Sequence, residues 1–178
     1  VHSAFQFEAL PKASPFCVAY RQSCEIFKES ISNPMSHASS PLFHVIYISH
    51  AVAPMSPAVL VALLEKYRTF NHSVGITGAL FYHDGYFLQV IEGEEAAIRG
   101  LYAKIQRDQL HRTVTTLFEE PIQKREFSKW SMAFRNLDLD ASGAPEGFEE
   151  IFNMDLSQIE LKRYPSKVRT FLAEMCGL

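Results

Sequence analysis

Residues 75–93 read GITGALFYHDGYFLQVIEG, and this stretch decides the fold. Two apolar runs, Gly75–His83 and Tyr86–Glu92, flank the dipeptide Asp84-Gly85. Asp and Gly both tolerate the positive φ angles of a tight hairpin turn, so the runs read as two antiparallel strands. Within the second run, Phe87, Gln89 and Ile91 alternate onto one face. A glutamine in mid-strand between phenylalanine and isoleucine belongs to the interior. A buried amide needs a partner, because leaving it unpaired costs roughly 1–3 kcal/mol.

Working outward, Phe43–Ser49 (FHVIYIS) reads as an earlier strand, apolar on both faces, with Val45, Tyr47 and Ser49 sharing one of them. Ser56-Pro57 is a helix start: a side-chain cap, then proline at the first helical position. That helix extends to about Phe70, with Val59, Leu60, Leu63, Leu64 and Tyr67 at helical spacing. Beyond the hairpin, Gly93 closes the third strand. Residues 94–107 form a second helix, with Ala97, Ile98, Leu101 and Ile105 on one face. Arg112–Glu120 is a fourth strand. Lys129–Asn136 is a fifth, in which Trp130, Met132 and Phe134 alternate. Residues 146–153 and 165–176 read as two short helices.

The order β-α-β-β-α-β-β predicts an α+β protein with a ferredoxin-like sheet. Two helices cover one face. Strands that are apolar on both faces need a second cover, and the two C-terminal helices are the available one. Residues 1–40 form an N-terminal extension or linker, with Ser30–Pro41 rich in Ser, Pro and Asn. One reading makes Met35 the natural start, behind an upstream or artificially added leader; the alternative is a native arm with a helix near Ser23–Ser30. Residues 41–137 are the main domain and 138–178 a helical cap.

The chain has 178 residues, enough for one domain with a real core. Its net charge of −3 implies no broad basic surface, so nucleic acid is not an expected partner. Three cysteines, Cys17, Cys24 and Cys176, make neither an even set nor a CxxC pair. A disulfide framework is not expected, and a cytoplasmic location fits. No apolar run approaches the ~20 residues that span a membrane. The seven histidines show no metal-ligand spacing.

Four features stand out as candidates for chemistry. Tyr47 and Gln89 sit mid-strand, and by themselves could be no more than a core hydrogen bond. Asn71 follows the first helix, where a left-handed helix terminator is an equally good reading. Lys104 and Asp108 are four apart near the end of the second helix, the spacing of a surface ion pair. Trp130 and Met132 could simply pack.

Taken together and in order, these pieces resemble the BLUF family of flavin-dependent blue-light sensors. The matching stretches are VIYIS with Tyr47, then NHSVGITGALFYHDGYFLQVIEG with Asn71 and Gln89. They continue with KIQRDQLHR, holding Lys104, Asp108 and His111, and REFSKWSM, holding Trp130 and Met132. The resemblance runs from about residue 43 to 137. It implies a flavin, FAD or else FMN or riboflavin, held non-covalently between the two helices and over the sheet. By the same resemblance Asn71 bonds the ring's polar edge and Asp108 faces its other side. Lys104 lies near the ribityl or phosphate part. Leu63 and Ile105 sandwich the ring, Ser49 stands close to Tyr47, and His111 belongs to the binding set. Phe70 and Lys104 depart from the common family residues.

The implied function is a photoreceptor rather than an enzyme. Tyr47 donates an electron, Gln89 relays the proton, and Trp130 and Met132 pass the signal through the fifth strand to the C-terminal helices. No output domain is recognisable, so the short type of the family is implied, acting through a homo-oligomer or an unidentified downstream protein. Two rivals share the topology: a cofactor-free interaction module and an acylphosphatase-like hydrolase. The hydrolase would need an anion cradle after the first strand, where His50–Ser56 offers neither glycine nor arginine.

Overall fold

In the computed structural model, residues 41–129 and 131–136, together with Thr170, are described. The elements run β1 (Leu42–Ala51), α1 (Pro57–Ser73), β2 (Thr77–His83), β3 (Tyr86–Glu94), α2 (Glu95–Ile105), β4 (His111–Ile122) and β5 (Ala133–Asn136). The sheet order is β4-β1-β3-β2-β5. All neighbours are antiparallel except β2 and β5. This is the expected α+β class, a ferredoxin-like sheet with one added parallel strand. The helices expected at 146–153 and 165–176, and residues 1–40, lie outside the described residues.

Local chemistry explains the joints. Asp84 and Gly85 have φ of 45° and 77°, as a two-residue primed turn requires. Helix α1 continues past Asn71 to Ser73, and Gly75 follows its C-cap, Val74. At Gly75 φ is +65°, its N–H donates to the His72 carbonyl, and the Ile76 N–H donates to the Asn71 carbonyl. These two bonds form a Schellman motif, which satisfies carbonyls the helix would otherwise leave open. Asn71 is therefore not the terminator; it lies inside the last turn and is 2% exposed.

Alternation along the strands makes two apolar faces. Phe43, Val45, Tyr47, Leu80, Phe87 and Ile91 join Leu60, Leu63 and Leu64 of α1 and Ile98 and Ile105 of α2 in one core. On the opposite face Ile46, Phe81, Leu88 and Val90 are also at most 1% exposed. Gly78 sits where β2 presses on β3. A Cβ there would land on the Val90 carbonyl oxygen, which is backbone and cannot swing away. Gly78→Ala is therefore expected to destabilise the fold by about 1–3 kcal/mol, read as a lower midpoint in urea unfolding.

Two corrections concern the ends of elements. Strand β5 begins at Ala133, not at Lys129, and Met132 lies in the bend just before it. The carbonyls of Ser131 and Met132 are taken by side chains of α1 rather than by a ladder. Helix α2 ends at Ile105, so Asp108 lies beyond it. The reading of Lys104 and Asp108 as neighbours on one helix face does not hold.

The middle of the β4–β5 connection is anchored from the far side of the sheet. The buried Glu92 carboxylate accepts the backbone N–H groups of Glu126 and Phe127 at 3.1 and 3.0 Å. Burial pushes this carboxyl above its usual range, while those two bonds pull it back.

Candidate functional site

Tyr47 and Gln89 are direct cross-strand partners on β1 and β3. Both point to the helix-covered face, and both are buried. The Tyr47 hydroxyl donates to Gln89 Oε1. The Gln89 Nε2 donates to Met132 Sδ at 3.3 Å. Phenol, amide and thioether thus form one chain. Burial holds the Tyr47 phenol well above its ordinary pKa, helped by Tyr67, Tyr102 and Asp108 nearby. At neutral pH it keeps its proton and is a donor in this chain.

Helix α1 contributes its last two turns. Asn71 Nδ2 donates to the Ser131 carbonyl at 2.9 Å, and Arg68 Nε donates to the Met132 carbonyl at 2.8 Å. The α2–β4 connection contributes Asp108, and the first residue of β4 is His111. The buried Asp108 carboxylate accepts the Leu110 N–H at 2.9 Å, an Asp-stabilised turn that competes with further helix. His111 Nδ1 lies 2.8 Å from Ser49 Oγ.

Strand β4 is bent to allow this. Its register against β1 slips between Ile46 and Tyr47, and again between Ile48 and His50. Each slip gives β4 one extra residue, a bulge, and Thr113 near the second has φ of 50°. For a β-branched residue that conformation is strained. The bulges flank Tyr47 and Ser49, and re-aim β4 beside them.

Burial lowers the His111 pKa below 6.5, and the nearby Asp108 opposes the shift only in part. A depressed folded-state pKa contributes stability that is present above the unfolded value and lost as pH falls through the folded one. Stability is thus expected to decline as pH drops below 6.5, and His111→Gln to flatten that decline. Urea unfolding of both proteins at pH 7.5 and at pH 5.5 checks it.

These residues surround a cleft at the sheet's helix-covered face. Tyr47, Asn71, Gln89, Asp108 and His111 supply its polar lining, while Tyr67, Leu101 and Ile105 supply its larger apolar surfaces. Of the residues read from the sequence, Ser49 stands behind His111. Leu63 lines an adjoining pocket that shares Tyr67, Gln89 and His111 with the cleft. The Lys104 ammonium lies 5.5 Å from the Phe70 ring centroid, and Lys104 is not among the residues that line the cleft. Trp130 lies outside the described residues.

The sequence pattern does not mark Tyr67, Leu101, Arg68 or Tyr102 as site residues. Tyr67 and Leu101 fall on the apolar stripes of their helices, and a stripe does not distinguish core from cleft wall. Tyr102 lies 5.4 Å from Tyr47, ring to ring, and its hydroxyl is bonded to Thr116 Oγ1 at 2.7 Å. The donor set suits a flavin ring. Such a ring needs apolar contact on its flat faces and groups that both donate and accept at its edge, which the amides of Asn71 and Gln89 can do.

The family model of BLUF, sensors of blue-light using FAD, matches residues 42–133. The chain belongs to the BLUF family. Among relatives, the photoactivated adenylate cyclase subunit beta of Euglena longa is 36% identical over 107 residues, 60% of this chain and 12% of that protein. The subunit alpha of Euglena gracilis is 37% identical over 94 residues, 53% of this chain and 9% of that protein. This BLUF chain therefore spans only a small part of the curated relatives it matches.

Solved structures agree with the assignment. The dark-state structure of BlrB, a BLUF protein, is 28% identical with a TM-score of 0.55, covering 76% of this chain and 100% of that one. BlsA in its photo-activated state is 28% identical with a TM-score of 0.54, covering 75% and 94%. Klebsiella pneumoniae BlrP1 with FMN and cyclic diGMP is 29% identical with a TM-score of 0.57, covering 76% and 34%. No helix among the described residues is long and apolar enough to cross a membrane.

Proposed function

We propose that this BLUF protein is a blue-light photoreceptor in which Tyr47 is the electron donor and Gln89 the proton relay. The observation that carries the proposal is the hydrogen bond from the Tyr47 hydroxyl to Gln89 Oε1 at the cleft. Asn71, Gln89, Ile105, Asp108 and His111 would hold the flavin there, with Ser49 supporting His111. Leu63 and Lys104 act from the margin. When bound and excited, the flavin supplies a strong one-electron oxidant.

The residues do the rest. A phenol that gives up an electron becomes a strong acid, so its proton must leave with it. Oε1 of Gln89 is the acceptor already in place, its Nε2 gives up a proton in exchange, and electron and proton return to Tyr47 before the amide settles, neutral, in its new arrangement. If the amide turns about its terminal bond, Oε1 faces Met132 Sδ in place of Nε2. A thioether accepts hydrogen bonds but cannot donate them, so the Met132 contact ends. If the amide instead tautomerises in place, an N–H can stay on the sulfur.

A rotation of the Gln89 amide is thereby felt directly at Met132, next to β5. Trp130 and the C-terminal helices would carry it onward to a second copy of the chain or to a downstream protein. The chain itself is proposed to catalyse no reaction, and FAD to be its flavin.

Flavin uptake tests this reading. Purified protein titrated with FAD, FMN and riboflavin is expected to bind one flavin per chain and turn yellow. Protein that stays colourless with all three favours the cofactor-free interaction module and ends the proposal.

A further inference from the structure

We propose that Arg68 is a positioning residue of the light response, which fixes the backbone of Met132 so that a change at Gln89 reaches β5. This rests on the photosensor reading above. Arg68 and Asn71 are three residues apart on α1 and so lie on one face. They donate to consecutive carbonyls, Asn71 to Ser131 at 2.9 Å and Arg68 to Met132 at 2.8 Å. The two residues before β5 are thereby held from the helix.

The two bonds at Met132 are unequal. Its sulfur accepts from Gln89 Nε2 at 3.3 Å, and a thioether is a weak acceptor. Its carbonyl accepts from a guanidinium, and such a charge-assisted bond is about twice as strong as a neutral one. Gln89 can therefore switch its weak contact while Arg68 keeps the backbone in register. With the backbone fixed, a displaced Met132 side chain acts on the core cluster that it shares with Phe134 of β5. Without Arg68 the segment would already be loose, and the state of Gln89 would make little difference to it.

Arg68 is half-buried, so replacing it should leave the core intact. Arg68→Gln shortens the side chain and removes the charge. Arg68→Met keeps the apolar stem and removes only the donors. The experiment is hydrogen–deuterium exchange of residues 131–136 in the flavin-loaded full chain, in darkness and under blue light, with absorbance read on the same samples.

Wild type is expected to exchange differently in light and dark. Arg68→Gln is expected to keep the red shift, exchange about ten-fold faster in darkness, and lose the light–dark difference. If the Gln variant does not fold, the same result is expected of Arg68→Met. Exchange and light response matching wild type in the folded variant would overturn the proposal. So would loss of the red shift itself, which would assign Arg68 to the photochemistry. A wild-type protein that takes up flavin but shows no red shift would instead defeat the photosensor reading.

Discussion

Gln89→Leu is expected to leave the protein able to bind flavin and turn yellow, and to abolish the light-induced red shift. Leucine has nearly the volume of glutamine, and position 89 lies among apolar neighbours on β3, so the fold should tolerate it. The substitution removes both ends of the relay at once. Oε1 no longer accepts from the Tyr47 hydroxyl, and Nε2 no longer donates to Met132. The Tyr47 hydroxyl is left buried without this acceptor, at a cost of roughly 1–3 kcal/mol. The loss of photochemistry is categorical by comparison, because Gln89 is the group that bonds both the Tyr47 hydroxyl and Met132. Light-minus-dark absorbance of the variant checks it, and a shift of normal size would remove Gln89 from the mechanism.

Tyr47→Phe is expected to have an effect as large, for a different reason. The ring stays and packs as before, so flavin uptake should persist. What goes is the hydroxyl, and with it both an easily oxidised phenol and the proton that Gln89 receives. Tyr102, 5.4 Å away, is a second phenol near the site. Its hydroxyl is bonded to Thr116, on the side away from the relay, so its proton has no direct path to Gln89. The yield of the red-shifted state is expected to fall at least ten-fold, a barrier difference of about 1.4 kcal/mol or more. Excitation of equal samples of variant and wild type measures this yield.

Much of this arrangement is legible in the sequence, for physical reasons. Asp84-Gly85 could adopt the positive φ angles of a two-residue turn, and it does. The hairpin then set the side on which Gln89 lies, and period-2 alternation placed Tyr47 and Gln89 on the helix-covered face. Cross-strand pairing brought them together.

Other features depended on contacts between elements, which no local pattern encodes. Trp130, Met132 and Phe134 alternate like a strand, yet β5 starts only at Ala133. The preceding carbonyls bond to Asn71 and Arg68 from a helix about sixty residues away in sequence. Asn71 has the chemistry of a helix terminator, but Gly75, with no Cβ, takes the left-handed position instead. Asp108 kept helical spacing from Lys104, but its carboxylate captured the Leu110 N–H and turned the chain. The bulges of β4 have no signature in the residues that form them. They are nonetheless what sets His111 against Ser49.

The decisive measurement is the light-minus-dark absorbance spectrum of the flavin-loaded wild-type protein, followed back to darkness. The flavin band is expected to shift to the red under blue light and to return fully in the dark. Protein that holds its flavin yet shows no shift, or only irreversible bleaching, would refute the Tyr47–Gln89 photocycle.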